Sequence, residues 1–339
     1  MTVLNEERAI ATYTKGQRFR HQLAATWRQW GESAQVFARN RVAMAGVLLI
    51  LIFALMALIQ PMLLGTVWPR GVYNPETGYD VSVTPWPAGP SPRHLLGVDA
   101  MGRDILSMLM AAARPTFVVA LSAALATAIV GTAIGAISAY FRGPIDAILY
   151  NFSSALYLLP APVLIAIIGA SFYSQIDAAR FGLIYGLLVG GGSAAIVLRS
   201  HALTLMNRTY IDASRVAGAN AWHIITRHLI PHMLPLAVVH MMLSVVGVVV
   251  ADGFIAFFGL RDIRLNWGAM VFSGISFMVI NPKIPWSEIV APALALSLFA
   301  AAFYMIARGL QDITDPRLAG RQAPVSRQKR FASRQSDRK

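Results

Sequence analysis

Few side chains in this sequence are suited to chemistry, and their spacing says more than their number. There is no cysteine, which removes thiolate nucleophiles, thiolate metal ligands and disulfides. The seven histidines form no HExxH and no two-histidine, one-carboxylate spacing, so no metal centre is read from them. No GxSxG elbow presents a serine nucleophile. No GxxxxGK followed by Ser or Thr is there to cradle ATP phosphates. Neither enzyme chemistry nor a cofactor bound by this chain is expected. Two groups of ionisable residues remain. Asp252 sits inside a long apolar run, and a carboxylate at membrane depth faces a cavity or a partner. It is a pathway or gate candidate, against the plainer readings of a buried ion pair or a wet position near the surface. Asp99, Gly102, Arg103 and Asp104 precede another apolar run. Asp99 and Arg103 are four apart and able to pair, while Asp104 favours the N-terminus of a short helix expected to end near Pro115. His240 reads as a packing residue.

The elements that position these groups are spans of a membrane. The chain has 339 residues, is 56% hydrophobic and only 13% charged, and has a mean hydropathy of +0.56. Soluble domains carry roughly 25% charged residues, so much of this surface faces lipid. Six runs approach the roughly 20 apolar residues that a crossing helix needs: 42–64, 116–141, 147–172, 181–198, 236–258 and 289–307. Pro160 and Pro162 interrupt the third, and Gly190-Gly191-Gly192 weakens the fourth. The expected fold is an all-α integral membrane protein. With the N-terminus inside, 21 of the 29 Lys and Arg fall on inside segments, which places both termini in the cytoplasm. That distribution also accounts for the net charge of +13. Nucleic acid is not expected as a partner, because no platform of interleaved aromatic and basic residues is present. The first apolar run begins near Val42, too late for a signal peptide.

The regions are therefore 1–41, a cytoplasmic N-terminal segment; 42–64, the first span; 65–115, an extracytoplasmic loop; 116–310, the core with five spans; and 311–339, a basic cytoplasmic tail. In the first, Phe19, Leu23, Trp27, Trp30, Ala34 and Phe37 fall on one helical face, with Arg20, Arg28 and Arg39 interleaved. A helix lying in the lipid interface suits this pattern, and a soluble partner-binding helix is the other reading. The tail after Asp315 lacks apolar periodicity and reads as disordered. In the second span, Ala120, Ala124, Ala128 and Thr132 make a small-residue ridge, and Gly131 and Gly135 a GxxxG step, both packing signals.

The inside segment 199–235 is the longest cytoplasmic stretch between spans. Ile211, Ala213 and Val216, then Trp222, Ile225 and Leu229, have helical spacing on either side of Gly218. Two short helices joined by a sharp turn at Gly218 are expected, with Pro231 and Pro235 breaking the helix before the membrane. Such a hairpin is a docking element or an amphipathic loop resting on lipid headgroups.

This stretch resembles the coupling motif of binding-protein-dependent ABC importer permeases. That motif runs Glu-Ala-Ala, three residues, Gly, nine residues, Ile-x-Leu-Pro. Asp212-Ala213-Ser214, Gly218 and His228-Leu229-Ile230-Pro231 take these places, and Arg215 and Arg227 fit the dipeptide and oligopeptide branch. Leu96, Gly97, Asp99, Gly102, Arg103, Asp104 and Ser107 match that branch's Leu-Gly-Thr-Asp and Gly-Arg-Asp motif. Phe257, Gly259, Leu260, Trp267 and Gly268 match a third, with Asp252 where Glu is usual and Arg261 in place of a glycine. Residues 37–62 are similar to the N-terminal module of the C-type permease, and the likeness extends over 37–319. The loop 65–93 is longer than the branch's and unmatched.

The resemblance implies a permease subunit of an ATP-binding-cassette importer of peptides or similar small solutes, with the type I importer fold. It implies a second homologous permease, two ABC ATPase subunits that bind ATP and Mg, and an extracytoplasmic solute-binding protein. Asp212, Ala213, Ser214, Arg215, Gly218, Trp222 and Pro231 would then couple to the ATPase, and Asp252 and Phe257 would line the path or gate. The Asp99–Asp104 motif would touch substrate or binding protein, or be purely structural. A secondary transporter driven by an ion gradient is the alternative, since broken helices suit it; a scaffolding membrane subunit without a path is another.

Overall fold

A computed structural model describes residues 35, 37–159, 164, 167, 177–257, 265–280 and 285–314. The aromatic face of the N-terminal segment, apart from Phe37, and the tail after Asp315 lie outside the described residues, so those two expectations are not addressed. Besides a single turn at Arg70–Tyr73, the helices in chain order are α1 (Arg41–Thr66), α2 (Ile105–Phe141), α3 (Gly143–Leu158), α4 (Ala178–Met206), α5 (Thr209–Val216), α6 (Ala221–Phe257), α7 (Trp267–Ile280) and α8 (Ser287–Thr314). Among the described residues there is no strand, only isolated bridges from Val98 to Ala88 and to Asp104. Five helices, α1, α2, α4, α6 and α8, are long and apolar enough to cross a membrane. The expected third span is described as α3 up to Leu158, and most of its remainder lies outside the described residues.

Polar residues start these helices where the apolar runs begin. Asn40 accepts from the Val42 and Ala43 amides at 3.0 and 3.2 Å. Asp104 accepts from Ser107 N–H at 2.7 Å, Asp177 from Arg180 N–H at 2.7 Å, and Asn220 from His223 N–H at 2.8 Å. Each cap satisfies a backbone donor left over at a helix start.

Three prolines do not break helices as expected. Helix α2 runs through Pro115, so there is no separate short helix before the second span. Pro231 and Pro235 both lie inside α6. A proline removes one amide donor, and a helix can absorb that loss by a local adjustment instead of a break. Next to Pro115 the Thr116 hydroxyl donates to the Ala112 carbonyl at 2.8 Å. Just before Pro231, residues Ile225–Leu229 widen into a π turn. The glycine run in α4 is likewise absorbed as a π turn, Gly190–Ala194, and that helix continues to Met206. A further difference is α7: a segment read as an outer connection is an apolar helix packed on α6 and α8.

Helices α2 and α4 approach closely through glycines on both. A Cβ on Gly182 would lie 2.4 Å from the Val119 carbonyl, and one on Gly186 2.4 Å from the Ala123 carbonyl. One on Gly135 would lie 2.9 Å from the Arg199 amide. The contacts advance along both helices in the same direction, so α2 and α4 are parallel. The chain between Phe141 and Ala178 therefore leaves one end of this pair and returns to the other. The GxxxG step belongs to this interface, where small residues let backbones approach.

The core has two parts. Near the start of α2, Phe53, Trp267 and Phe299 form an aromatic cluster with centroids 5.3 to 5.6 Å apart. At the other end, Ala136, Ala139, Leu198, Ala202 and Met206 pack against Ile211, Ile224, Leu229 and Met233.

Candidate functional site

The second core part carries the hairpin formed by α5 and the start of α6. Helix α5 closes with the Gly218 amide donating to the Arg215 carbonyl at 2.9 Å and the Ala219 amide to the Ser214 carbonyl at 3.0 Å. Gly218 has φ +83°, in the left-handed region, and nothing stands within 4 Å of where its Cβ would be. Glycine is required here by the backbone rather than by crowding. Asn220 then caps the next helix, so the chain turns sharply within a few residues. Ile211, Ile224 and Leu229 are fully buried beneath the turn. At its tip Val216 is 91% and Trp222 74% exposed.

The other coupling candidates lie around this turn. Asp212 and Arg215 form an exposed pair at 3.4 Å, and such surface pairs hold only weakly. Ala213 is exposed, and its carbonyl accepts from Ala217 N–H at 3.0 Å. The Ser214 hydroxyl donates to the Tyr210 carbonyl at 2.8 Å and lies 3.3 Å from His228 Nε2. Pro231 is exposed one turn beyond, inside α6. A contact invisible in the sequence braces this end. Arg199 Nη2 donates to Asp146 Oδ2 at 2.6 Å, and its guanidinium lies over the Tyr150 ring at 4.7 Å, tying α3 to α4.

Asp252 is buried in α6 and accepts from the Asn266 side-chain amide. Asn266 Oδ1 in turn accepts from Gly268 N–H at 2.6 Å. A Cβ on Gly268 would stand 2.3 Å from the Gly253 carbonyl, so the two glycines press α6 and α7 together beside the carboxylate. Trp267, fully buried, donates to the Leu109 carbonyl at 3.0 Å. Phe257 meets Phe272 edge-on at 6.0 Å. Gly259, Leu260 and Arg261 lie outside the described residues.

In the 99–104 motif, Arg103 donates from Nη2 and Nε to Asp99 Oδ2 at 2.6 and 2.8 Å. Asp99 Oδ1 accepts from the Met101 and Arg103 amides at 2.9 and 2.8 Å. Gly102, at φ +80°, lies under the Trp86 ring, where a Cβ would come within 2.5 Å. Asp104, besides capping α2, accepts at Oδ2 from His94 Nδ1 at 2.8 Å. His94 Nε2 faces Asp80 Oδ2 at 3.1 Å, and all three residues are buried. The unmatched loop thus contributes Asp80 to a histidine held between two carboxylates. The Ser82 hydroxyl, together with His94 and Arg93, holds the Asp80 carboxyl down at about 2. Burial pushes the Asp104 carboxyl and the neighbouring Tyr73 hydroxyl up. Among the described residues no three His, Asp or Glu side chains converge as a metal cage requires.

The arrangement joins an exposed glycine-turned hairpin at one end of a helical bundle to a buried carboxylate near the other. The family model described as binding-protein-dependent transport system inner membrane component matches residues 131–320, more than half of the chain, including the hairpin and Asp252. The chain belongs to this family. A second model, the N-terminal TM domain of oligopeptide transport permease C, matches residues 28–77 of the permease. Its relatives include the glutathione transport system permease protein GsiD of Pectobacterium atrosepticum, 29% identical over 85% of this chain and 91% of that one. The dipeptide transport system permease protein DppC of Bacillus subtilis is 30% identical over 83% of each chain. The oligopeptide transport system permease protein OppC of Haemophilus influenzae is 28% identical over 85% of this chain and 88% of that one. The permease is thus a multi-pass membrane subunit of an ABC importer.

Proposed function

We propose that this permease forms half of an inward path for peptides or similar small solutes across a prokaryotic plasma membrane. A second homologous permease forms the other half, and an extracytoplasmic solute-binding protein delivers the cargo. Two ATPase subunits bind ATP and Mg and drive the cycle, so hydrolysis takes place outside this chain. Both termini face the cytoplasm. The observation that carries the reading is the hairpin around Gly218: its apolar base is buried against α2 and α4, while Trp222 and Val216 stand exposed at its tip. An ATPase can bias the path only through contacts that differ between its states. This tip is built to make them, with Asp212 and Arg215 as polar contacts beside it. Asp252 and Phe257 lie where α6 meets α7 and line the gate, and the transported class follows the peptides named for the relatives.

Because the chain has no cysteine, single cysteines report the arrangement directly. Val216→Cys carrying a photoactivated maleimide should crosslink to an ATPase subunit in the assembled transporter. Met101→Cys should react with an impermeant maleimide from outside intact cells. Labelling of Val216→Cys from outside, or crosslinks to lipid alone, would overturn the coupling assignment.

A further inference from the structure

Helix α3 stops beside the middle of a spanning helix. Its first turn is tied by Asp146 to Arg199, near the hairpin end of α4. Its last turn reaches Gly192, midway along the 29 residues of α4, where a Cβ would stand 3.4 Å from the Tyr157 amide nitrogen. The helix ends at Leu158, and Leu159 is extended, at φ −69° and ψ 127°. Pro160 and Pro162 follow in the sequence and carry no N–H, so the carbonyls of Leu156 and Leu158 lose the donors that a continuing helix would give them. At the same depth α4 is itself irregular: Gly192, inside the π turn, is non-helical at φ −91° and ψ −107°. The end of α3 is also uncovered, with Tyr157 64% and Leu158 79% exposed. Asn151, Ser154 and Tyr157 follow one side of the helix at steps of three, and none of these side chains makes a hydrogen bond among the described residues. Ile145, Ile148 and Phe152 take a different side, exposed and apolar as lipid requires.

Irregular backbone at membrane depth persists only where protein or water satisfies it, so the end of α3 does not face hydrocarbon. A partner helix spends its backbone N–H groups on itself and has none to offer the two carbonyls. An extended peptide has unspent N–H groups. The acceptors gathered here carry no charge and stand at the C-terminal, partially negative end of a helix, which favours a cation. Resting on the inward path for peptides given above, we propose that the end of α3 lines that path at its midpoint and holds the amino end of a passing peptide. The carbonyls of Leu156 and Leu158 accept from its ammonium and first N–H groups, and Asn151, Ser154 and Tyr157 continue the ledge toward the cytoplasm.

The test uses the complete transporter in phospholipid vesicles, single cysteines in this cysteine-free chain, and a charged, membrane-impermeant thiosulfonate. Only a thiolate reacts and lipid suppresses its formation, so Asn151→Cys and Tyr157→Cys should react at least about tenfold faster than Ile148→Cys and Phe152→Cys. Trapping the ATPases with vanadate should change the two fast rates, because a path alternates between its openings. Trialanine should slow the reaction of Tyr157→Cys severalfold, and N-acetyl-trialanine, which lacks the ammonium, should not. Equal rates on the two sides of α3, or a crosslink from Asn151→Cys to the second permease in every state, would overturn the site. So would absent protection in vesicles whose wild type takes up trialanine. Wild-type vesicles that exclude trialanine would count against the peptide reading itself, while the thiosulfonate rates still decide the face of α3.

Discussion

Replacing Gly218 by valine isolates the turn as a mechanical part. Nothing stands within 4 Å of the missing Cβ, so the larger side chain meets no neighbour. The whole effect comes from φ +83°, which L-residues adopt at a cost of about 1–2 kcal/mol, with β-branched side chains at the upper end or beyond. At about 1.4 kcal/mol per factor of ten, the correctly angled hairpin loses roughly five- to thirty-fold in population. The spans are untouched and should insert normally. Asparagine tolerates the left-handed region, so the series Gly, Asn, Ala, Val should grade the defect. The assay is co-purification of ATPase subunits with each variant, read beside solute uptake. Association and uptake should fall together in that order. Full association with full uptake in Gly218→Val would refute the coupling argument, and equal losses in Asn and Val would refute the backbone explanation.

Two further outcomes are expected. Asp252→Asn keeps the shape and one acceptor oxygen, so the transporter should assemble but take up less solute, whereas Asp252→Ala strips the acceptor from Asn266 and should cost about 1–3 kcal/mol of stability; undiminished uptake in Asp252→Asn would leave Asp252 a packing residue. The Asp80 carboxyl, ordinarily at 3.8, is held down at about 2 in the folded loop, so its stabilisation is present above pH 4 and lost as pH falls toward 2. Burial acts on Asp104 in the opposite sense and favours its protonated form, so the loop should stay closed in mild acid. Hydrogen exchange across residues 80–104 reads this, and an Asp80→Asn variant with an unchanged acid midpoint would contradict it.

Much of this was legible because lipid-facing helices announce themselves as long apolar runs. The α5 turn was readable too, since helical spacing runs up to Val216 and resumes at Trp222 on either side of Gly218. Pro115, Pro231 and Pro235 misled because the local adjustments beside them, the Thr116 hydroxyl and the π turn at Ile225–Leu229, let the helices continue. Helix α7 was missed because its 14 residues are too few to cross and too apolar to show an amphipathic face. The pairing of Asp80 with His94 follows no local period; the partners meet only because the loop folds back over the start of α2. Arg199 and Asp146 lie 53 positions apart, and neither sits in a recognisable motif. Asn266 stood beside the matched Trp267, but only the folded chain shows that it holds Asp252.

The interface of α2 with α4 has a dynamic consequence. Side chains act as cushions that let helices slide; where the α2 and α4 backbones approach through Gly182, Gly186 and Gly135 there is little to compress. Helix α2 has 37 residues, about 55 Å at 1.5 Å per residue. A tilt of about 5° around its middle carries each end roughly 2.4 Å, in opposite directions. One end is capped by Asp104, in the pocket with His94, and the other bears the hydrophobic seat of the hairpin. Were the helix to tilt as one body, a displacement at the hairpin would reach Asp104 with its sign reversed.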